Sequence, residues 1–444
     1  MALTGPSEVT ISMSHAVLDT LACPECELPQ AVPALPPGGK AVCVRCKVTI
    51  ARNPVDPIDR PLALTVAAAV VFLVANLAPL MGLSVAGRES VTTILGGAQE
   101  TWLRGSETTA VMVAFCAVVA PGLFIAFMLV VLSAARRPPA PRWVGRLLRL
   151  AAFVEPWSMN EVMLLGILVA LIKIAQLATV TPGIGLYAVG LLVILLAAIG
   201  STFDSHAIWQ RVVWADGTRP EPAPVAARRR WRLRALPNLA DAGLASCTTC
   251  GLLSRPASPG QQGRCPRCGT VLEAHAHASI QTTWALVIAA AILYIPANAL
   301  PVLVTTSLGS TESDTIISGV ALLYETGSWP LALIVLVASV VVPLGKLIAI
   351  AYLLVTVQRG SVKNNHDRAR LYRLVELVGR WSMLDVFVDA FIVALVQLSP
   401  LMSVAPGSGV AFFMTVVVLT MFAAHSFDQR LIWNARTVKR KQHG

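Results

Sequence analysis

The chain has 444 residues, of which 55% are hydrophobic and only 13% are charged. A soluble domain of that length needs a more polar surface, so the composition excludes an ordinary soluble enzyme. The formal net charge of +11 would suit a nucleic-acid binder, but the basic residues cluster at 136–149, 228–234, 359–380 and 430–441, beside long apolar segments. That placement points to the cytoplasmic face of a membrane and to anionic lipid.

The N-terminal tail, 1–21, is polar and lacks a leading apolar run, so it does not read as a signal peptide. The first cysteine module, 22–52, follows: Cys23-Pro-Glu-Cys26 and Cys43-Val-Arg-Cys46. Two CxxC knuckles separated by 16 residues match the spacing of a four-cysteine zinc ribbon, with each knuckle aiming two thiolates at one ion. In a reducing compartment, metal binding is favoured over disulfides.

The first apolar block, 62–209, holds four segments able to span a bilayer as helices: 62–83, 108–133, 160–180 and 184–203. They are apolar on all faces rather than alternating, which excludes a β-barrel. The basic segment 138–156, with periodic apolar positions, predicts a short amphipathic helix on the membrane surface. A Pro- and Arg-rich linker, 210–243, leads to a second cysteine module, 244–275: Cys247-Thr-Thr-Cys250 and Cys265-Pro-Arg-Cys268, 14 residues apart. Gly269 suits the positive φ that follows such a knuckle, whereas Lys47 stands there in the first module. The second block, 284–433, repeats the first, with spans at 284–305, 329–356, 383–398 and 409–427, an amphipathic segment at 364–380 and a basic tail at 434–444.

The halves align at an offset of 222 to 224 residues. Asn76 and Pro79 match Asn298 and Pro301, Pro121 matches Pro343, Trp157-Ser158-Met159 matches Trp381-Ser382-Met383, and Phe203-Asp204 matches Phe427-Asp428. The expected fold is thus an all-α polytopic membrane protein. It has eight transmembrane helices in two parallel four-helix repeats, each preceded by a small four-cysteine zinc ribbon. The outer loops carry few basic residues, so both termini, the linker and the ribbons are expected on the cytoplasmic side. Pro79 and Pro301 are expected to kink helices one and five, either as plain proline kinks, the simpler reading, or with Asn76 and Asn298 capping the freed backbone groups.

Ionisable residues inside a membrane are costly and mark function. The second block places Ser339, Lys346, Asp385, Asp389 and Thr420 where helices six, seven and eight can converge. A carboxylate beside a lysine can load and release a proton as their separation changes; a static ion pair tying three helices is the plainer alternative. The first block has Glu161 opposite Asp385, but Phe124 opposite Lys346 and Leu165 opposite Asp389, with Lys173 deeper in its third helix. There is no Walker A sequence, no mid-membrane histidine pair and no Ser/His/Asp or Cys/His arrangement, so neither an enzyme nor a haem protein is expected. The ninth cysteine, Cys116, reads as a packed apolar residue.

Paired CxxC modules, each ahead of a four-span block, with the repeated Trp-Ser-Met step, resemble the paraquat-inducible protein A family over nearly the whole chain. The resemblance implies an inner-membrane protein with zinc ribbons and a tetraspanin-like membrane fold. It implies a partner with mammalian-cell-entry (MCE) domains that forms a periplasmic tunnel for phospholipids. It further implies proton-driven lipid movement through Ser339, Lys346, Asp385 and Thr420. The alternatives from the residues alone are a metal- or redox-responsive membrane sensor and a transporter of small solutes or ions.

Overall fold

The computed structural model describes residues 19–33, 35–85, 88–103, 105, 107–175, 179–213, 245–254, 263–272, 276–307, 310–325, 327–361, 364–395, 397–398 and 402–433. Most of the 210–243 linker, most of the 1–21 tail and the 434–444 tail lie outside the described residues.

The chain divides into two compact units, one holding both cysteine modules and one holding all the long helices. In the cysteine unit each knuckle sits at the tip of a short antiparallel hairpin. Asp19–Ala22 pairs with Pro29–Val32, and Lys40–Val42 with Thr49–Arg52. Ala245–Ser246 pairs with Leu253–Ser254, and Gly263–Arg264 with Val271–Leu272. The four knuckles share one backbone pattern. The residue after the second cysteine has positive φ: Glu27 at 55°, Lys47 at 64°, Gly251 at 71° and Gly269 at 73°. Its N–H donates to the carbonyl of the first cysteine, at 2.8 to 3.0 Å. Glycine fits there without strain, and Glu27 and Lys47 adopt the same conformation at a steric cost.

The helical unit begins with α1 (Asp59–Leu77), α2 (Ile94–Leu103) and α3 (Glu107–Ala114). A π-helical turn, Phe115–Val119, joins α3 to α4 (Ala120–Ala135). Next come α5 (Arg142–Val154), a 3-10 turn at Glu155–Trp157, α6 (Asn160–Ala175), α7 (Ile184–Thr202) and α8 (Ser205–Arg211). The same order recurs as α9 (Ala276–Ala299), α10 (Ile316–Glu325), α11 (Trp329–Leu336), a π turn at Val337–Val341 and α12 (Val342–Gln358). It continues with α13 (Asn365–Gly379), a 3-10 turn at Arg380–Met383, α14 (Leu384–Leu395), α15 (Ser408–Ser426) and α16 (Arg430–Trp433). The amphipathic expectations match α5 and α13. Val144, Leu148 and Ala151 are buried along one face of α5, and Ala369, Tyr372 and Val375 along one face of α13, the spacing of a helical stripe.

Among the described residues, seven helical stretches are long and apolar enough to cross a membrane. The expected span at 383–398 is not among them: α14 has 12 residues, about 18 Å at 1.5 Å per residue. Gln397–Leu398 leaves the helix and pairs with Met402–Pro406 instead. The wholly α-helical expectation also needs correcting, because the connecting loops form antiparallel sheets. Met81–Val85 pairs with both Arg88–Thr92 and Thr179–Pro182. Leu303–Ser307 pairs with both Ser310–Asp314 and Met402–Pro406. Strand pairing satisfies loop backbone groups that have no helix to serve them.

Two glycines close these sheets against the helix ends. Gly183 N–H donates to the Leu80 carbonyl and Gly407 N–H to that of Val302. A Cβ on Gly183 would lie 2.2 Å from the Pro79 oxygen, and one on Gly407 2.2 Å from the Pro301 oxygen, so neither position has room for a side chain. Pro79 and Pro301 lie beyond the ends of α1 and α9 and cannot bend them; the proline inside α9 is Pro296. The asparagines still serve backbone carbonyls: Asn76 Nδ2 donates to Phe72 O at 2.8 Å, and Asn298 Nδ2 to Tyr294 O at 2.9 Å.

At the centre of the unit α6 crosses α14, with Val162, Met163 and Ile167 buried in one cluster with Leu384, Phe387 and Phe391. A Cβ on Gly166 would stand 2.9 Å from Phe387 Cβ, so this glycine sets how closely the two helices approach. Cys116 is buried in the same cluster.

Candidate metal centres and a buried cation site

Within each module the four Sγ atoms lie within 4.8 Å of one another. Cys23 and Cys46 are 3.4 Å apart and Cys26 and Cys43 3.5 Å; Cys247 and Cys268 are 3.4 Å apart and Cys250 and Cys265 3.5 Å. A disulfide needs about 2.05 Å, so these are free thiols. Four thiolates around a tetrahedral ion at about 2.3 Å would be ~3.8 Å apart, close to the observed separations. The donor set therefore fits one metal ion per module.

Local donors favour thiolates. Gln30 Nε2 donates to Cys43 Sγ at 3.1 Å, and the Arg45 N–H to the same sulfur at 3.4 Å. Gln30 is itself fixed by the Val44 N–H on its Oε1 at 3.1 Å. Thr270 Oγ1 lies 3.2 Å from Cys268 Sγ. A hydrogen bond from Cys26 lowers the Cys23 thiol to about 5, and one from Cys250 lowers Cys247 to about 6. Burial pushes Cys46 up to about 12. Four crowded thiols hold their protons unequally, and a cation that replaces the protons relieves the crowding.

The second feature is Lys346. It lies on α12 and is 3% exposed. Its Nζ donates to Thr420 Oγ1 on α15 at 3.1 Å and to the Gly379 carbonyl at 3.2 Å. Gly379 ends α13, where carbonyl dipoles favour a cation. A Cβ there would stand 3.3 Å from Lys346 Nζ and Cε, so glycine leaves the space that the lysine tip fills. Thr420 Oγ1 donates its own hydrogen bond to the Val417 carbonyl at 2.9 Å, leaving its lone pairs to the ammonium.

Of the residues expected to converge, Lys346 and Thr420 meet. Ser339 is fully buried in the π turn, and its hydroxyl meets no hydrogen-bond partner. Asp389 is buried on α14. The side chains of Asp385, on α14, and Lys173, on α6, lie outside the described residues. Glu161 is exposed at the start of α6. The sequence reading did not single out Gly379, Ser382 or Tyr294. Ser382 is 1% exposed, with an unpartnered hydroxyl. Tyr294 Oη donates to the Val340 carbonyl in the π turn at 3.2 Å. Ser382 was legible only as the middle of the repeated Trp-Ser-Met step.

A helical unit with seven membrane-length stretches among the described residues, joined to two four-cysteine modules, defines a multi-pass membrane protein with two clusters able to hold metal. The chain belongs to the paraquat-inducible protein A family, whose model matches residues 58–213 and again 280–437. It is 33% identical to the intermembrane transport protein PqiA of Escherichia coli K12, over 95% of this chain and 97% of that protein. It is 30% identical to the lipophilic envelope-spanning tunnel protein A of the same organism, over 93% and 91% of the two chains. A probable intermembrane transport protein of Haemophilus influenzae is 29% identical over 93% and 95%. No solved structure gives a significant match.

Proposed function

We propose that this chain is the inner-membrane subunit of a lipid transport system. It moves phospholipids between that membrane and a periplasmic tunnel built from MCE domains, with proton coupling in the second block. The names of its relatives support transport between membranes across the envelope. The observation that carries the mechanism is Lys346: a cation buried in an apolar block, tied to two uncharged acceptors on two other helices. Such a group is costly to keep unless it works.

In this mechanism Asp385 takes and releases a proton, and its charge alters the hold of Lys346 on Thr420 and Gly379. Because those contacts join α12, α13 and α15, their loss lets the helices separate enough to admit a lipid. The two blocks insert as parallel repeats with ribbons and termini in the cytoplasm, α14 completing the second set of four. Zinc is the metal that best suits closed four-cysteine sites, and its role is structural. The chain is a transporter rather than an enzyme.

The test is phospholipid transfer from liposomes containing this chain to its tunnel partner, with and without a proton gradient. Asp385→Asn should abolish transfer while leaving the protein inserted and folded. Full transfer in that variant would sink proton coupling. Transfer of a small solute without any tunnel partner would favour a solute transporter.

A further inference from the structure

Three polar groups around Lys346 are left over. A lysine ammonium carries three donors, and two are used on Thr420 and Gly379. Ser339 Oγ and Ser382 Oγ are buried without partners, their residues 0% and 1% exposed. Buried hydroxyls are nearly always paired.

The elements that carry these groups touch one another. The π turn that carries Ser339 lies against the 3-10 turn that carries Ser382, and that turn also touches α12 and α15. The 3-10 turn starts from Gly379, so its i→i+3 pairing sets the Ser382 N–H over the carbonyl that Lys346 binds. Ser339 precedes Lys346 by seven residues, about 10.5 Å along a helix. Long side chains on a helix lean toward its N-terminus, so the lysine tip reaches back toward Ser339.

The first block satisfies the matching hydroxyl, although its 3-10 turn, Glu155–Trp157, ends one residue before it. Ser158 stands where Ser382 does, and Asn160 Nδ2 donates to its Oγ at 3.4 Å. The second block has Leu384 in place of Asn160, which removes that donor. Ala117 replaces Ser339 in the first block, and Phe124 replaces Lys346.

We infer that the second block holds one ordered water between the π turn and the 3-10 turn, bound by Ser339 Oγ, Ser382 Oγ and the third N–H of Lys346. Three polar partners are the usual complement of a buried water. The water gives the ammonium an acceptor inside the block and links Ser382, through the lysine, to α12 and α15. The site stands on geometry alone and does not depend on the transport reading.

Thermal unfolding of the full chain in nanodiscs tests it with Ser339→Ala, Ser382→Ala and the double variant. If both hydroxyls hold one water, each single change lowers the melting temperature by about 2–4 °C. The double change then costs little more than one single, because both disconnect the same molecule. In a dry site each alanine removes an unsatisfied hydroxyl and the melting temperature rises; a rise, or strictly additive falls, overturns the inference. A map of the unaltered chain that resolves ordered waters should show density within about 3.2 Å of both hydroxyls. Empty space between them would equally overturn it.

Discussion

The two helical blocks share their element order down to the π turn and the 3-10 turn, yet their interiors differ in chemistry. Around the second π turn stand Ser339, Lys346, Tyr294 and Thr420. The aligned positions of the first block are Ala117, Phe124, Phe72 and Leu196. The π turn is therefore not what makes the second block special, since the first block keeps it with Phe124 in place of the lysine. Aromatic packing differs in the opposite sense. Trp157 rests against Phe115 at 5.8 Å and against Phe422 of α15 at 5.5 Å, whereas its counterpart Trp381 is 51% exposed. The first block contributes an aromatic wedge to the helix that carries Thr420. The second block contributes the polar site.

The largest expected effect comes from making the second block like the first. Lys346→Phe should reduce phospholipid transfer to background, while Phe124→Lys should gain no activity and should lower stability by several kcal/mol, because it sets an unpaired charge at a half-buried position of an apolar, membrane-length helix. Transfer that survives Lys346→Phe would break the comparison. Gly183→Ala and Gly407→Ala probe what the blocks share. Each places a Cβ 2.2 Å from a carbonyl oxygen and should cost about 1–3 kcal/mol or more, seen as loss of folded protein in size-exclusion chromatography. Markedly unequal losses would mean that the sheet closures are not equivalent.

The cysteine modules should respond alike to acid. Cys23 and Cys247 are depressed to about 5 and about 6. Their contribution to stability is therefore present above the unfolded thiol pKa of about 8.5 and is lost as pH falls through 6 and then 5. Metal content measured by elemental analysis should drop over the same window, since protons compete for the thiolates. Cys43→Ser should cost one ion of two and lower protein abundance; unchanged abundance with altered signalling would favour a sensor. The smallest effect is expected for Tyr294→Phe, which copies Phe72. It removes the hydroxyl from the Val340 carbonyl and should cost about 1 kcal/mol, with no matching change available in the first block.

The sequence determined the parts of this protein whose physics is local. CxxC spacing defines a metal knuckle whatever surrounds it, so both four-cysteine sites were legible at once. Long apolar runs can only be helices in lipid, so most spans were legible too, as were the amphipathic faces of α5 and α13. The recurring element order was legible because residues such as Pro121 and Pro343 stand at the same place, at the starts of α4 and α12. Tertiary structure alone decided the rest, because partners distant in sequence settle it. The loops became sheets when strands some 100 residues apart paired. The 383–398 segment became a short buried helix because Gln397 and Leu398 found a strand to join. A main-chain carbonyl at Gly379 became a ligand of Lys346, and no side-chain pattern announces a carbonyl. Ser382, an unremarkable residue in a repeated motif, gains its meaning from what Leu384 fails to offer it.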